Sequence, residues 1–423
     1  MERNKEMFRY AYTQSPFYQA VLDKNHLKIG DLMEDWSKIP VVTKRQMVCG
    51  EESVLPYSSC DFFGESEMMY KLAADEEGVC LNVAWTQRDL VSSLSPLWDC
   101  RGRFYGIRKQ DRCCSFRMYP DKNDKDLTLN RDFFGNDLGF SVLHLTRERL
   151  EGIYRVMLQY RPKWLSIQPS VAGIFADYIL EKGVQPISSL ICVELFGEKV
   201  SEEARSHIEE AFRCRTVFVY DCDEMNAIAY ECPDGHLHVL EENVMVEIMD
   251  GDRVVPDGEE GDIVLTCLSN TVMPFVRYRT GDRGKIVSEQ CNCGNAGKIL
   301  DLVQNQNNEM IQLEHDINIP PYEFTYAFQR VAGMKDIELM QYQVEQTGCH
   351  TYIVTIVAKS DKIPLSEKEE QDKISQMFIS NIVYDYIQES TFTFRFQEEL
   401  LPKNTDDSDR SRIFWSFIDD EED

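Results

Sequence analysis

Three long segments in the middle of the chain place apolar residues at helical spacing: "TQRDLVSSLSPLWDC", "TRERLEGIYRVMLQY" and "SVAGIFADYILEKG". An apolar face that returns every three to four positions predicts amphipathic helices, the last of them stopping at Gly183. Short apolar runs, "WLSIQ", "SLICVELF" and "TVFVY", follow or precede them and have the length of buried strands. Helix and strand alternate from about residue 86 to 240, which predicts an α/β domain with a largely parallel sheet. Upstream, "KEMFRYAYTQ" reads as helix, ending at "SPFYQAVLDKN", and "KIPVVTKRQM" reads as a turn followed by a helix start.

The pattern changes at about residue 237. "LHVLEENVMVEIMDGDRVVPDGEEGDIVLTCL" is a series of strands separated by Asp-Gly and Glu-Gly turns, the signature of an antiparallel subdomain. "DLVQNQNNEM" is polar and aperiodic and reads as a linker. Beyond it, "EFTYAFQRVAGM", "HTYIVTIVAK", "EKEEQDKISQMFISNIVYDYI" and "FTFRFQEEL" alternate helix and strand, a small α+β domain of roughly a hundred residues. There is no internal repeat and no low-complexity segment. The expected division is a large N-terminal domain over 1–303, a hinge at 304–309 and a small domain over 310–423.

Composition narrows the function classes. The formal net charge of −28 argues against a nucleic-acid or anionic-membrane partner, whose phosphates would be repelled over most of the surface. No apolar run approaches a membrane span, and "MERNKEMFRYAYTQ" is charged and mixed rather than a signal peptide, so the expected location is cytoplasmic. The 14 cysteines are then expected as reduced thiols, some of them metal ligands. Cys192 and Cys267 lie in apolar, strand-like runs and read as small core residues.

Three stretches together point to a family: "VYDCDEMNAIAYECPDGHLHVLEENVMVEI", "PDGEEGDIVLTCLSNTVMPFVRYRTGDRG" and, near the start, "SPFYQAVLDKN…KIPVVTKRQM". The chain resembles the phenylacetate-CoA ligase-like branch of the adenylate-forming enzymes, over most of its length. The resemblance implies an α/β protein of the adenylate-forming fold, with a large N-terminal α/β domain carrying an antiparallel β subdomain, a small mobile α+β C-terminal domain, and an active site between them. Such enzymes join a carboxylate to AMP with ATP and magnesium and pass the acyl group to a thiol. A small-molecule carboxylate or acyl-adenylate is the implied partner, with AMP or ATP and Mg as cofactors. A homo-oligomer or a protein partner is also compatible with the resemblance.

In the frame of that family, "RYRTGD" places Asp282 where its oxygens could accept from both ribose hydroxyls; the alternative is a turn aspartate after Gly281. "YDCDE" stands where the family has a Tyr-Gly-x-Thr-Glu type motif. Tyr220 would stack on adenine and Glu224 would hold magnesium, a hard cation that takes oxygen ligands. Asp223 replaces a hydroxyl donor; alternatively, Asp221, Asp223 and Glu224 cap a following helix. Gly197 and Glu198 in "FGEKV" match the family's Gly-Glu element beside adenine. The acyl pocket is expected from "WLSIQPSVAGIFADYI" and "LFGE", both apolar and aromatic-rich.

Three departures from the family concern phosphate chemistry. "AADEEGV" at 73–79 aligns with a loop that the family fills with Ser, Thr and Gly, whose backbone N–H groups and hydroxyls surround the β- and γ-phosphates. Here Gly78 survives and Asp75, Glu76 and Glu77 intervene; one close like-charge pair costs on the order of 1 kcal/mol or more. In "NQNNEM", Gln306, Asn308 and Glu309 replace the arginine and acids of a Gly-Arg-x-Asp-Asp hinge. In "SDRSRIF", Arg410 falls on the lysine that bridges substrate carboxylate and α-phosphate, keeping the charge but not the compact geometry.

A metal site is indicated separately. Cys232, His238, Cys291 and Cys293 offer three thiolates and an imidazole, a closed tetrahedral shell for structural zinc, with His236 as the rival imidazole and four reduced surface residues as the alternative. Three functions remain open on the residues alone: a degenerate relative that retains an AMP or acyl-adenylate pocket, a working ligase with an unorthodox phosphate site, and a structural subunit with a vestigial pocket.

Overall fold

The computed structural model describes residues 2–50, 52–56, 68–118, 136–303, 310–313, 318–334, 337–360, 367–402 and 413–416. The expected hinge at 304–309, and with it Gln306, Asn308 and Glu309, lies outside these residues, as does Arg410. The chain forms two compact units: Met1–Asp75 with Leu81–Gly106 and Phe218–Asn305, and Glu76–Cys80 with Ile107–Val217 and Gln306–Asp423.

The first unit is built on antiparallel strands. Side by side run Arg253–Val254, Val244–Asp250, Gly261–Cys267, Tyr278–Val287, Ile299–Leu302, Leu237–Val239, Asn226–Glu231 and, from Phe218 on, the strand Arg215–Cys222. The expected Asp-Gly and Glu-Gly turns fall between them. Val42–Thr43 adds in parallel to Tyr278–Arg279. Helix Gln87–Tyr105 starts where the Thr86 side chain accepts from Asp89 N–H and ends at Gly106 in the left-handed region. Two N-terminal helices, Glu2–Gln14 and Pro16–Lys24, precede it, the second with proline in its first turn.

The second unit carries a parallel sheet in the order Cys192–Phe196, Trp164–Ile167, Cys113–Arg117, Asp137–Ser141. Its strands are almost wholly buried, as expected for a sheet covered on both faces. The helices Arg147–Tyr160, Pro169–Lys182 and Glu202–Phe212 are those the periodicity indicates, or capped by the same signals: Thr146 and Ser201 accept at the N-termini, and Gly183 closes one C-terminus. The same unit holds a four-stranded sheet, ordered Thr391–Gln397, Thr351–Ser360, Ile337–Gly348, Phe414–Ser416, with helices Tyr322–Ala332 and Lys368–Ser380. No helix among the described residues is long and apolar enough to cross a membrane.

Candidate functional site

The strand Tyr278–Val287 carries "YRTGD" and organises the site in the first unit. Gly281 adopts φ +100, a backbone that L side chains rarely take, and Asp282 N–H donates to Thr280 Oγ1 at 3.1 Å. Tyr220, on the strand Arg215–Cys222, donates its hydroxyl to Asp282 Oδ2 at 2.8 Å. Burial first, and then the Asp282 charge, push the Tyr220 phenol well above its ordinary value, so it stays a donor. Tyr220 and Asp282, singled out separately in the sequence, thus form one hydrogen-bonded pair.

Glu224 follows in the turn between Arg215–Cys222 and Asn226–Glu231. The segment is a strand hairpin, so the idea that Asp221, Asp223 and Glu224 cap a following helix is corrected: the next element is a strand. Glu224 is 4% exposed, and its Oε1 accepts the Tyr278 hydroxyl at 2.6 Å and the Lys44 ammonium at 3.0 Å. Burial works to raise the Glu224 carboxyl, but Lys44 and Tyr278 outweigh it and hold it below the usual glutamate range. Burial likewise works to lower Lys44, and Glu224 and Asp75 outweigh it. Both residues are therefore charged. Asp75, from the turn expected to meet phosphates, acts electrostatically on both Lys44 and Tyr278.

The fold delivers Lys44 by three devices. A capping box between Thr43 and Gln46 starts helix Lys44–Cys49 at Lys44. Parallel pairing of Val42 with Tyr278 and Thr43 with Arg279 sets that helix start beside the site strand. Arg277, 1% exposed and at φ 48, forks onto Glu247 with both contacts at 3.1 Å and donates to the carbonyls of Ser37 and Ile39. Trp36 Nε1 joins the same Glu247 carboxylate at 3.0 Å.

Asp223, the replacement for a hydroxyl donor, faces a second lysine. Lys71 Nζ lies 3.3 Å from Asp223 Oδ1 and donates to Asn226 Oδ1 at 2.9 Å, while Trp85 Nε1 donates to the Asp223 carbonyl at 2.9 Å. Sequence reasoning missed both lysines. Lys44 was visible only as a helix start, and Lys71, on the strand Met68–Ala74, bonds Asn226, 155 residues away, a contact that no local signal announces.

Magnesium does not fit Glu224 as it stands. A divalent ion about 4 Å from an ammonium is repelled by roughly 8 kcal/mol at an effective dielectric of about 20. Oε1 of Glu224 already accepts two donors, one of them that ammonium.

In the second unit, Gly197 turns at φ +76 beyond the strand Cys192–Phe196. Glu198 accepts from Ser170 N–H at 2.9 Å and Ser170 Oγ at 2.8 Å, and from the Tyr322 hydroxyl. It thereby caps helix Pro169–Lys182, whose own N-cap Gln168 makes no side-chain cap bond. Arg117 stacks 4.0 Å over the Phe196 ring and donates to Ser166 Oγ at 3.1 Å. Gly197 and Glu198 belong to this unit, Tyr220, Glu224 and Asp282 to the first.

The segment aligned with the phosphate loop is the turn of a two-stranded hairpin, Met68–Ala74 with Cys80–Thr86. Its residues 76–80 belong to the second unit, where Val79 bridges Gln341 antiparallel. Gln341 Nε2 donates to the Glu77 carbonyl at 2.7 Å, and Tyr342 N–H donates to the Gly78 carbonyl at 3.0 Å.

The cysteine–histidine cluster lies in the first unit. The ligand atoms of Cys232, His238, Cys291 and Cys293 all fall within 4.8 Å of one another. Cys232 and Cys291 sulfurs are 3.6 Å apart, and His238 Nε2 is 3.2 Å from Cys293 Sγ. A tetrahedral zinc with bonds of about 2.3 Å sets its ligand atoms about 3.8 Å apart, so the donor set fits the ion. His238 Nδ1 lies 3.3 Å from the Gly297 carbonyl, the outer contact that turns Nε2 towards a metal. Backbone N–H groups of Cys293 and Asn295 point at the sulfurs of Cys291 and Cys293, each at 3.4 Å. The rival His236 places Nδ1 3.2 Å from Cys291 Sγ.

No family model matches the chain. It is 26% identical over 332 residues to the phenylacetate-coenzyme A ligase of Thermus thermophilus, a span covering 76% of this chain and 72% of that protein. It is 25% identical over 297 residues to the enzyme of the same name from Pseudomonas putida, covering 68% of this chain and 66%, just under two thirds, of that one. Protein CapK of Staphylococcus aureus is 19% identical over 362 residues, covering 85% and 78%. Among solved structures, 2-hydroxyisobutyryl-CoA ligase with 2-HIB-AMP and CoA in the thioesterification state superposes with a TM-score of 0.60 at 16% identity, covering 98% of this chain and 88% of that one. Its open conformation gives 0.59. At such identity the likeness shows the fold, that of the adenylate-forming CoA ligases.

Proposed function

The chain is a relative of the phenylacetate-coenzyme A ligases within the adenylate-forming superfamily, and from that premise we propose that it binds AMP or an acyl-adenylate and has weak or no ATP-dependent adenylation. One observation carries the reading: Glu224, the residue expected to hold magnesium, is buried and spends its Oε1 on Lys44 and Tyr278. The three carboxylates at 75–77 and the arginine at 410 support it from the sequence. The Tyr220–Asp282 pair supports retention of a nucleoside pocket, because an oriented carboxylate suits a ribose diol. Tyr220 and Asp282, both in the first unit, are the proposed nucleoside contacts. A structural zinc held by Cys232, His238, Cys291 and Cys293 completes the reading; when bound it would cross-link the turn at 232–238 to the knuckle at 291–293.

A second reading, a working carboxylate-activating ligase with an atypical phosphate site, is favoured by Lys71. Its side chain is 38% exposed and supplies a cation on the strand leading into the altered turn. Calorimetry with AMP and ATP separates the two. AMP binding at least as tightly as ATP fits the first, and ATP at least about tenfold tighter, roughly 1.4 kcal/mol, fits the second.

A further inference from the structure

We infer that Lys44 is the resident cation of the nucleotide site, so that this chain takes its nucleotide without a divalent metal. The inference rests on the proposed AMP or acyl-adenylate pocket and names the ligand form that pocket accepts. Lys44 and Glu224 are both nearly inaccessible, with side chains 6% and 5% exposed, and their contact is 3.0 Å. A surface lysine could swing aside for an ion. This one is the first residue of its helix, fixed by the Thr43–Gln46 capping box and by the parallel pairing of Val42–Thr43 with the strand that bears Tyr278.

The chemistry then follows from charge and size. Magnesium demands a near-octahedral oxygen shell and keeps several waters. The Glu224 surroundings offer a buried ammonium and a phenol hydroxyl aimed at the same oxygen. The ammonium neutralises the carboxylate that an ion would otherwise bridge to phosphate, and Asp75 is balanced by the same lysine. A nucleoside triphosphate normally travels as its magnesium complex and brings an ion for which Glu224 Oε1, taken by Lys44 and Tyr278, has no free position. A nucleoside monophosphate or a phosphoric–carboxylic anhydride carries fewer charges and needs no such ion. The ligand class is therefore an adenylate without metal.

The test uses the full-length protein and manganese as a paramagnetic probe, titrated by water-proton relaxation. Wild type and Glu224→Gln are expected to bind manganese equally weakly. Lys44→Met is expected to gain a site that disappears again in Lys44→Met/Glu224→Gln. Stoichiometric manganese binding by the wild type, removed by Glu224→Gln, overturns the inference, and this comparison stands even if Lys44→Met fails to fold. In parallel, AMP affinity is measured with and without magnesium, omitting the ion rather than adding a chelator that would also strip any metal held by Cys232, His238, Cys291 and Cys293. Affinity unchanged within about twofold is expected; a tenfold gain with magnesium that Glu224→Gln removes overturns it. If AMP binds in neither buffer, the proposed function fails while the manganese comparison still decides the role of Lys44.

Discussion

Gly78 lies hard against the backbone of Tyr342: its carbonyl accepts the Tyr342 N–H at 3.0 Å, and a Cβ on residue 78 would stand 1.9 Å from the Tyr342 carbonyl oxygen. The glycine also sits at φ +75. The one glycine that survives in the altered loop is thus required by its packing, whatever it does for phosphate. Gly78→Ala meets both a left-handed backbone and a backbone clash, and is expected to cost about 2–3 kcal/mol. Urea unfolding measures it. A midpoint equal to wild type would mean that the turn does not rest on the strand Ile337–Gly348.

That contact also marks where the sequence stops being readable. Helices announced themselves because cap and period agree, as at Thr146 with the apolar stripe Leu150, Ile153, Tyr154 and Met157. The buried runs Trp164–Ile167 and Cys192–Phe196 were legible as strands for the same local reason. Ile337–Gly348 was not, because "IELMQYQVEQTG" buries Gln341 and Gln346 as well as apolar residues. Both glutamines are satisfied by partners far along the chain, the Glu77 carbonyl and Gln312, which no local pattern announces. At the site, Tyr220, Glu224 and Asp282 could be named from their motifs. What each one touches could not, since Lys44 reaches Glu224 through a parallel pairing across most of the first unit.

The cysteine–histidine cluster makes a compositional prediction. Purified protein is expected to contain about one zinc per chain by elemental analysis. Burial holds the thiols of Cys232 and Cys291 above their ordinary value, the latter at about 12, so metal must displace protons and apparent zinc affinity should fall as pH falls. Cys291→Ser is expected to lower both zinc content and melting temperature. A metal-free preparation with undiminished stability would refute the site.

The buried pair predicts a pH profile whose sign is fixed. Glu224 is held below its ordinary 4.5, so its contribution is present above that value and is lost as pH falls through the lower folded value. Lys44 is held above its ordinary 10.5, so its contribution is present below that value and is lost as pH rises through the higher folded value. Between them the contribution is flat. Lys44→Met alone strands a buried carboxylate and is expected to cost about 3–5 kcal/mol near neutrality. Lys44→Met/Glu224→Gln should recover most of that and lose the acid slope below pH 4.5. Denaturant midpoints across the pH range provide the check, and a double variant with an unchanged acid slope would assign the slope to other groups.

Adenylation places the most demanding requirement on this site. Expelling pyrophosphate develops charge on the leaving group, and preorganised donors that meet such charge supply roughly 3 kcal/mol each. The turn at 75–77 offers three carboxylates instead, and the carbonyls of Glu77 and Gly78 are bonded to Gln341 and Tyr342. Glu224 is paired with Lys44 and contributes no open metal ligand through Oε1. Loss of several such terms should slow the step by orders of magnitude, so no pyrophosphate exchange is expected with aryl or fatty acids. A pre-formed acyl-adenylate needs neither the turn nor the metal, and should still bind through the Tyr220–Asp282 pair. Restoring donors with Asp75→Gly, Glu76→Thr, Glu77→Thr and Arg410→Lys, while keeping Gly78, should raise any exchange activity above wild type. Asp282→Ala should abolish acyl-adenylate binding. Robust exchange by the unmodified protein, lost in Asp282→Ala, would instead establish a working ligase, with Lys71 the first residue to examine as its phosphate contact.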